Sequence, residues 1–218
     1  MSVSASVSVI IAAYNAETTL ARAIRSALAE PETTEVIIVD DVSADATRAV
    51  TRAEAAKDPR VHLIEMPVNS GPAAARNRAL DVATADYVAV LDSDDVFLPA
   101  RLARLLGGGD ADILADNIAF VTETTLGTLD QQNWSHIRSD FAPLSTADFV
   151  RGNLHRPGIA RGELGFLKPL LSRAFLNRHG LRYDPALRLG EDYDLYVRML
   201  LAGARMSLTR HPGYGAVV

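Results

Sequence analysis

The chain has 218 residues, 48% of them hydrophobic, and its 22 Lys and Arg against 27 Asp and Glu give a formal net charge of −5. A chain of this length can bury a stable core without disulfides or a structural metal. The lack of Cys excludes disulfide frameworks, thiolate zinc sites and cysteine nucleophiles. The length favours one domain. The acidic balance disfavours a nucleic-acid-binding surface, so we expect no nucleic-acid partner.

The first hundred residues alternate short apolar runs with amphipathic segments, which predicts βα units around a mostly parallel sheet. Polar residues typical of helix starts, Asn15 and Ser43, precede two of the amphipathic segments, and Gly71-Pro72 precedes the third. The predicted strands cover residues 7–12, 35–39, 61–65 and 87–91, and the predicted helices cover residues 17–29, 45–56 and 72–83.

The pattern loosens after residue 106. Gly107, Gly108 and Gly109 end a helix that Pro99 begins, and residues 112–121 predict one or two strands. The polar, aperiodic stretch at residues 123–148 predicts a long loop. A strand near residues 164–171 and helices at residues 173–179 and 191–201 complete the prediction.

No targeting or membrane segment is visible in the sequence. The N-terminus lacks the charged region of a signal peptide, and the longest apolar stretch, at residues 7–13, is well below the roughly 20 residues that span a bilayer. We therefore expect a cytoplasmic protein.

The aspartates are clustered: 18 of the 27 acidic residues are Asp, and eight of these fall in three places. Each cluster follows a predicted strand or opens a helix, where open α/β sheets bind ligands. Three carboxylates within residues 92–95 suggest a hard divalent cation, although a solvated turn is the alternative. The clusters are Asp40, Asp41 and Asp45, then Asp92, Asp94 and Asp95, then Asp192 and Asp194 beside Glu191.

Three regions of the sequence allow a structural interpretation as well as a functional one. Ser43 and Asp45 have the residue types of helix caps. The acids at Glu191 and Asp192 can act as a general base or simply complement the helix dipole, and spacing alone favours the dipole role. The small residues from Asn69 to Asn77 leave a helix N-terminus open to an anion, with Arg76 nearby, or they serve packing.

Five ordered motifs resemble the family 2 glycosyltransferases, in particular bacterial enzymes of exopolysaccharide and cell-surface glycan synthesis. The motifs lie at residues 9–15, 39–47, 69–77, 91–95 and 190–192. The resemblance implies the α/β GT-A fold, a Rossmann-like, mostly parallel central sheet flanked by helices. It also implies inverting transfer of a sugar from a nucleotide-diphosphate donor, with UDP-sugars the first expectation, to an acceptor hydroxyl.

The same resemblance implies roles for individual residues. Asp192 would be the catalytic base, with Glu191 supporting the acceptor, and Asp94 and Asp95 would bind Mn²⁺ or Mg²⁺. Tyr14 would lie against the nucleotide base and Asp41 would accept a hydrogen bond from it. The implied nucleotide-sugar site comprises Ala13, Tyr14, Asn15, Asp40, Asp41, Gly71, Arg76, Asp92, Ser93 and Asp94.

Departures from the family pattern refine these expectations. Ala13 stands where the family often has Pro and Val42 where it often has Gly, and neither change touches the implied chemistry. The Gln-x-x-Arg-Trp motif of processive members is absent, because the sole Trp, Trp134, precedes the Glu-Asp motif. We therefore expect one sugar transferred per encounter. Family members often continue beyond the Glu-Asp helix, so an end at Val218 suggests a C-terminally truncated chain.

The resemblance divides the chain into a nucleotide-sugar half, about residues 1–106, and an acceptor half, about residues 107–218. The acceptor would be a saccharide or a lipid-linked saccharide, and peripheral association with the inner face of a membrane is compatible with it. Basic residues in the acceptor half suit a diphosphate-linked lipid or a solvated face, and we favour the solvated face. These basic residues are Arg151, Arg156, Arg161 and Lys168.

Two other classes share parts of this pattern. A nucleotidyltransferase also binds a metal-bound nucleotide, but the class usually carries a Gly-rich basic loop after the first strand, and residues 12–15 are not one. A receiver-type signalling domain also gathers aspartates around Mg²⁺, but it needs a Lys on a late strand, and neither Lys57 nor Lys168 fits that position well.

Overall fold

The first half of the chain forms the predicted succession of βα units. A computed structural model describes residues 5–126, 140–154 and 164–218. All four predicted strands and all three predicted helices of this half are present, with ends that differ from the prediction by no more than three residues. They are β1 (Val7–Ala13), α1 (Leu20–Leu28), β2 (Thr33–Asp40), α2 (Thr47–Ala55), β3 (Val61–Glu65), α3 (Pro72–Val82) and β4 (Tyr87–Val90).

The second half departs further from the prediction. Residues 113–121 form one strand, in agreement with the predicted one or two, but the predicted strand near residues 164–171 is a 3-10 helix (Leu164–Phe166) followed by a three-residue strand. Five elements were not predicted: β5, α5, β7, α6 and β9. The elements are β5 (Val96–Phe97), α4 (Arg101–Leu106), β6 (Ile113–Val121), α5 (Glu123–Leu126), β7 (Phe141–Leu144), α6 (Thr146–Asn153), β8 (Leu170–Ser172), α7 (Arg173–Arg178), α8 (Glu191–Leu201) and β9 (Met206–Val217).

The predicted long loop at residues 123–148 is only partly a loop. Its ends contain α5 and β7, and α6 begins at Thr146 after the side chain of Ser145 accepts a hydrogen bond from the amide of Asp148. Most of the rest, including Trp134, lies outside the described residues.

The strands form one sheet, in the order β3-β2-β1-β4-β8-β6-β9-β5, with β7 paired to β9. The strands β3, β2, β1 and β4 are mutually parallel. The strand β8 is antiparallel to both of its neighbours, and β9 is parallel to β6 but antiparallel to β5 and β7. The parallel Rossmann-like part therefore comes from the first half of the chain, and the second half extends it as a mixed sheet.

Side chains of the central strands alternate between two hydrophobic layers, one on each face of the sheet. On β1, Ile10 packs into one layer with residues of α3 and α8, whereas Val9 and Ile11 pack into the other with residues of α1 and α4. This follows from the two-residue period of a strand, and burial on both faces explains why these strands are continuous apolar runs. No helix of the described residues is long and apolar enough to cross a membrane.

Asn15 and Ser43 do not cap the helices that they precede, whereas Asp45 accepts from the amide of Thr47 at the start of α2 and α3 begins at Pro72 as predicted. The helix α1 begins after Thr19 and α2 after Ala46, and neither residue caps its helix through a side chain. Instead, the two loops cap each other: Ser43 Oγ accepts from the amide of Asn15, and Asn15 Oδ1 accepts from the amide of Ala44. The cap-type side chains therefore fasten the end of β1 to the end of β2.

Candidate active site

The carboxyl ends of three parallel strands meet at one edge of the sheet. The strand β1 lies between β2 and β4, and the backbone pairing places Ala13 beside Asp40. The residues that follow these strands, Tyr14, Asp41 and Asp92, are therefore brought to the same crevice. This is the position at which open α/β sheets bind ligands.

A small pocket of about 250 Å³ opens beside β1 and β2. Four of the predicted nucleotide-sugar residues line it, and Tyr14 leaves 56% of its surface exposed there. Such a volume is below the roughly 300–1,000 Å³ of drug-sized sites, so it suits one part of a larger ligand. The lining includes Ala13, Tyr14, Asp41, Gly71 and Arg188.

Asp41 links this pocket to the start of α3. Its Oδ1 accepts from the amide of Ser70 at 2.8 Å and its Oδ2 from the amide of Gly71 at 2.7 Å, and the residue is 4% exposed. Gly71 has φ +84°, a left-handed backbone that favours Gly. Because an ionised carboxylate offers about four acceptor positions, Asp41 can still accept from a ligand.

Asp40 and Asn15 lie behind the pocket lining. Asp40 is fully buried, and its Oδ2 accepts from the amide of Ser43 and lies 3.8 Å from Nε of Arg48. Its other oxygen, Oδ1, has no hydrogen-bond partner within the described part of the chain. Asn15 has φ +50° and holds the loop after β2 through Ala44. In this structure both residues shape the loops around the pocket.

Five charged side chains from four parts of the chain, Asp92 among them, form a cluster. Arg76, on α3, donates to Asp92 at 2.9 Å and to Glu191 at 2.8 Å, and lies 3.4 Å from Oδ1 of Asp192. The ammonium of Lys168 lies 3.0 Å from Asp92 and 2.7 Å from Oδ2 of Asp192. The structure therefore brings one acid of the second cluster and two of the third together around two cations.

Burial and charge act against each other within this cluster. Burial alone would raise the pKa of Asp92, but Lys168 and Arg76 outweigh it and hold that pKa below its ordinary value. Burial would likewise lower the pKa of Lys168, yet Asp92 and Asp192 raise it above the ordinary value. Asp92 and Lys168 are therefore both charged at neutral pH.

The cluster forms one wall of a cavity of about 710 Å³. Gly165, Phe166 and the start of α8 form other parts of the wall. A second cavity, of about 490 Å³, shares Asp92, Phe166 and Lys168 with the first. Both cavities together with the small pocket give room for a two-part substrate around the charged cluster.

The acids at the start of α8 do not act as simple helix caps. Gly190, with φ +81°, precedes the helix, and the carboxylates of Glu191 and Asp192 bind cations from other elements instead. Their position in the first turn still complements the helix dipole. Asp194 differs, because it pairs with Arg198 on its own helix at 2.6 Å.

The two candidate metal ligands are in different environments. Asp94 is exposed, and its side chain makes no hydrogen bond or ion pair with the described residues. Asp95 is 9% exposed, and both of its oxygens are engaged: Tyr214 donates to one at 2.8 Å and the amide of Val217 to the other at 2.9 Å. Burial raises the pKa of Asp95 despite these bonds. Ser93, between Asp92 and Asp94, is half-buried.

A protein-only metal site is not formed by these acids. The described residues contain no group of three or more His, Cys, Asp or Glu side chains that could hold an ion. An ion at Asp94 would thus need oxygen ligands from a substrate or from water, which Mg²⁺ commonly uses. Each oxygen of Asp95 already accepts one hydrogen bond from β9, so only its remaining lone pairs are open to an ion.

Sequence reasoning missed several residues of this site. The solvated-face interpretation is wrong for Lys168, whose side chain is 11% exposed, whereas Arg151, at 64%, fits it; Arg156 and Arg161 lie outside the described residues. A usable signal was present, since Lys57 and Lys168 are the only lysines of the chain. Arg188 and Tyr214 had no local motif that could reveal them.

Comparison with known proteins gives the family. A family model described as "Glycosyl transferase family 2" matches residues 8–154, more than half of the chain. The chain therefore belongs to glycosyl transferase family 2, as the five motifs predicted. The Succinoglycan biosynthesis protein ExoU of Rhizobium meliloti (strain 1021) is 48% identical over 217 residues, which are 97% of this chain and 62% of the relative.

Solved structures are similar in fold. S. aureus TarS 1-349 in complex with UDP-GlcNAc has a TM-score of 0.73 at 21% identity, covering 98% of this chain and 58% of that one. The mannosyltransferase PcManGT from Pyrobaculum calidifontis in complex with GDP-Man and Mn²⁺ has a TM-score of 0.65 at 22% identity, covering 100% of this chain and 57% of that one. The predicted GT-A fold is confirmed, and the chain spans about three fifths of the length of these proteins.

Proposed function

We propose that the chain transfers one sugar from a nucleotide-diphosphate donor to an acceptor hydroxyl, with inversion at the anomeric carbon. The observation that carries this proposal is the placement of Asp192 opposite Asp92, 2.7 and 3.0 Å from the same ammonium, on the wall of a large cavity. The nucleotidyltransferase and receiver-type alternatives are not favoured by the family match.

Asp192 is the proposed catalytic base. The proton of the acceptor hydroxyl passes to Asp192, the acceptor oxygen forms a bond to the anomeric carbon, and the bond from that carbon to the diphosphate oxygen breaks. The leaving nucleoside diphosphate takes the electron pair of the broken bond. A carboxylate that is ion-paired on both oxygens still has free acceptor positions for this proton.

The donor is proposed to extend from the small pocket toward the charged cluster. Tyr14 offers an exposed ring at the pocket, and Asp41 offers a carboxylate that can accept from a base. The UDP-GlcNAc and GDP-Man in the similar structures are nucleotide sugars, so these two nucleotides are the first to test. Asp92, Ser93 and Arg76 are proposed to contact the donor beyond its nucleoside.

A divalent cation, Mn²⁺ or Mg²⁺, is proposed as the cofactor. Asp94 is the residue best suited to hold it, because its carboxylate is exposed and makes no hydrogen bond or ion pair with the described residues, whereas Asp95 is held by β9. When bound, the ion would offset charge on the departing diphosphate as a Lewis acid. Mn²⁺ accompanies the sugar nucleotide in the mannosyltransferase structure.

The acceptor is proposed to be a growing saccharide or a lipid-linked saccharide in bacterial polysaccharide synthesis, at the inner face of the membrane. The name of the Rhizobium meliloti relative, a succinoglycan biosynthesis protein, supports a polysaccharide product. Transfer of a single sugar per encounter is part of this proposal. We also propose that residues 1–106 supply most of the donor site and residues 107–218 most of the acceptor site.

A thermal-shift measurement tests the donor site directly. UDP, GDP and TDP are each added with Mn²⁺ and with EDTA in its place. One nucleotide should stabilise the protein only with the ion, by about 2.7 kcal/mol at a concentration of 100 times Kd. A panel in which no nucleotide moves the melting temperature would refute the proposed donor site.

Asp192→Asn tests the base, with Asp194→Asn as its matched control. The two residues lie in the same first turn of α8, but Asp194 pairs with Arg198 outside the charged cluster. Asp192→Asn should abolish sugar transfer and keep nucleotide binding, because the amide has nearly the same shape but cannot accept the proton. Asp194→Asn should keep both. Turnover by Asp192→Asn would move the base to another residue.

A further inference from the structure

Lys168 differs from an ordinary surface lysine. Lys57, the other lysine of the chain, pairs with Glu54 and leaves 60% of its side chain exposed. Lys168 leaves 11% exposed, and its ammonium contacts carboxylates from two separate elements, Asp92 after β4 and Asp192 on α8. Burying a lysine costs desolvation and side-chain entropy. The two ion pairs of Lys168, with Asp92 and Asp192, offset the cost of burying its ammonium.

The backbone around Lys168 is fixed by buried groups. The carbonyl of Leu167 accepts from the hydroxyl of Tyr196 at 3.1 Å. The carbonyl of Lys168 accepts from the guanidinium of Arg101, which is fully buried and makes two further hydrogen bonds, at 3.0 and 2.9 Å, to Asp116. The main chain is thus held on both sides of the residue, so the ammonium is positioned before any substrate binds.

The charge around Asp192 depends on Lys168. Arg76 faces Asp192 from α3, Lys168 faces it from the segment before β8, and Asp92 and Glu191 add two negative charges. The buried phenols of Tyr183 and Tyr196 also interact with Asp192, and burial and the charge of Asp192 raise the pKa of both. Without Lys168, three carboxylates would share Arg76 alone. Like charges at such distances favour protonation of one of them.

We propose that Lys168 is a positioning residue of the transfer reaction, whose ammonium holds the carboxylate of Asp192 beside Asp92 and offsets the negative charge that the two carboxylates share. This inference rests on the proposed role of Asp192 as the base. Lys168 acts through Asp192, so it sets the geometry and the electrostatic environment of the base without itself exchanging a proton. Both side chains of the contact, Lys168 and Asp192, belong to this chain, so the contact can be tested without a substrate.

The first test is a carboxyl ¹³C NMR titration of Lys168→Met, which keeps the apolar stem and removes the charge. The midpoint of the Asp192 signal, assigned by its loss in Asp192→Asn, should rise by about one pH unit or more relative to the unsubstituted protein. Lys168→Arg should restore most of the original midpoint. Lys57→Met, which removes the other lysine, should leave it unchanged.

The second test is the pH profile of kcat for sugar transfer. The acidic limb of the Lys168→Met profile should lie about one pH unit or more higher than that of the unsubstituted protein, and kcat should fall more than KM rises. A purely structural role would lower activity at all pH values and leave the limb in place. Lys168→Gln serves in both tests if the melting temperature shows that Lys168→Met does not fold.

The outcomes separate this inference from the proposed function. An unchanged Asp192 midpoint and an unchanged acidic limb in an active Lys168→Met variant would overturn the role of Lys168 and leave the transferase proposal intact. A shifted midpoint in a protein that transfers no sugar from any donor would refute the transferase proposal, and the positioning role would fall with it. A shift in both measurements, reversed by Lys168→Arg, supports the inference.

Discussion

Replacing Asp41 by Asn should destabilise the fold as well as the pocket. The two carboxylate oxygens accept from the amides of Ser70 and Gly71 at 2.8 and 2.7 Å. An Asn side chain has one acceptor oxygen, so its amide nitrogen would face a backbone N–H donor. Losing a hydrogen bond to a charged group and leaving a buried N–H unsatisfied costs about 2–3 kcal/mol.

This loss can be measured as a change in the free energy of unfolding. For a chain of this size, about 2–3 kcal/mol corresponds to a fall in melting temperature of roughly 4–12 °C. Asp184→Asn is a suitable control, because exposed Asp184 accepts only one amide, from Ala186 at 2.9 Å. It should cost less than about 1 kcal/mol. Equal losses in the two variants, followed by circular dichroism, would show that the buried double contact of Asp41 contributes nothing special.

The left-handed backbone of Val42, the lowered pKa of Glu35 and the exposed carboxylate of Asp94 each allow a test. Val42 has φ +66°, a conformation that costs an L-residue about 1–2 kcal/mol, and its side chain is 38% exposed. Val42→Gly should therefore stabilise the protein by about 0.5–1 kcal/mol after the entropy gained by the unfolded chain, and a lower urea midpoint would contradict this. Burial would raise the pKa of Glu35, but hydrogen bonds from Ser8 and Thr84 outweigh it and lower that pKa. Its stabilisation is present above the unfolded pKa, about 4.3, and is lost as the pH falls through the folded value. Glu35→Gln should thus be less stable than the unsubstituted protein at pH 7, and urea titrations should show the gap closing below about pH 4; a gap independent of pH would exclude this cause. Asp94→Asn should leave the melting temperature of the free protein unchanged but remove the Mn²⁺-dependent stabilisation by nucleotide, and a retained metal effect would place the ion elsewhere.

The βα half of the fold was predictable because its signals are local. Parallel strands such as residues 61–65 are short runs rich in Val, Leu and Ile between polar turns, and the prediction for that strand matches the structure at both ends. The helix ends were less predictable. Asn15 and Ser43 have the chemistry of caps, yet they cap each other's loops across 28 residues of sequence. A local pattern cannot show which of two neighbouring loops a polar side chain will bind.

The second half depends on contacts that are distant in sequence. The strand β9 contains Arg210, His211, Pro212 and Gly213, residue types that do not suggest a strand, and it forms because β5, β6 and β7 pair with it. At these residues, pairing with neighbouring strands outweighs their low intrinsic β-strand propensity.

The acidic half of the charged cluster could be found in the sequence, and the cationic half only partly. Asp92, Glu191 and Asp192 stand in recognisable motifs, and Arg76 lies in a third. Lys168 stands in no motif, and its position depends on Tyr196 and Arg101, which are far away in the chain. Charge balance was the remaining clue, since acids brought together at one sheet edge require buried cations.

The contact between β9 and Asp95 also affects how the protein must be made. Val217 and Asp95 are 122 positions apart, and the strand that joins them is the last element of the chain. Contacts of such separation form late, because a long loop must close before they give any stabilisation. During synthesis, the acidic segment after β4 therefore remains without this support until β9 has been made. The carboxylate of Asp95 takes its final position only when that strand pairs with β5 and β6.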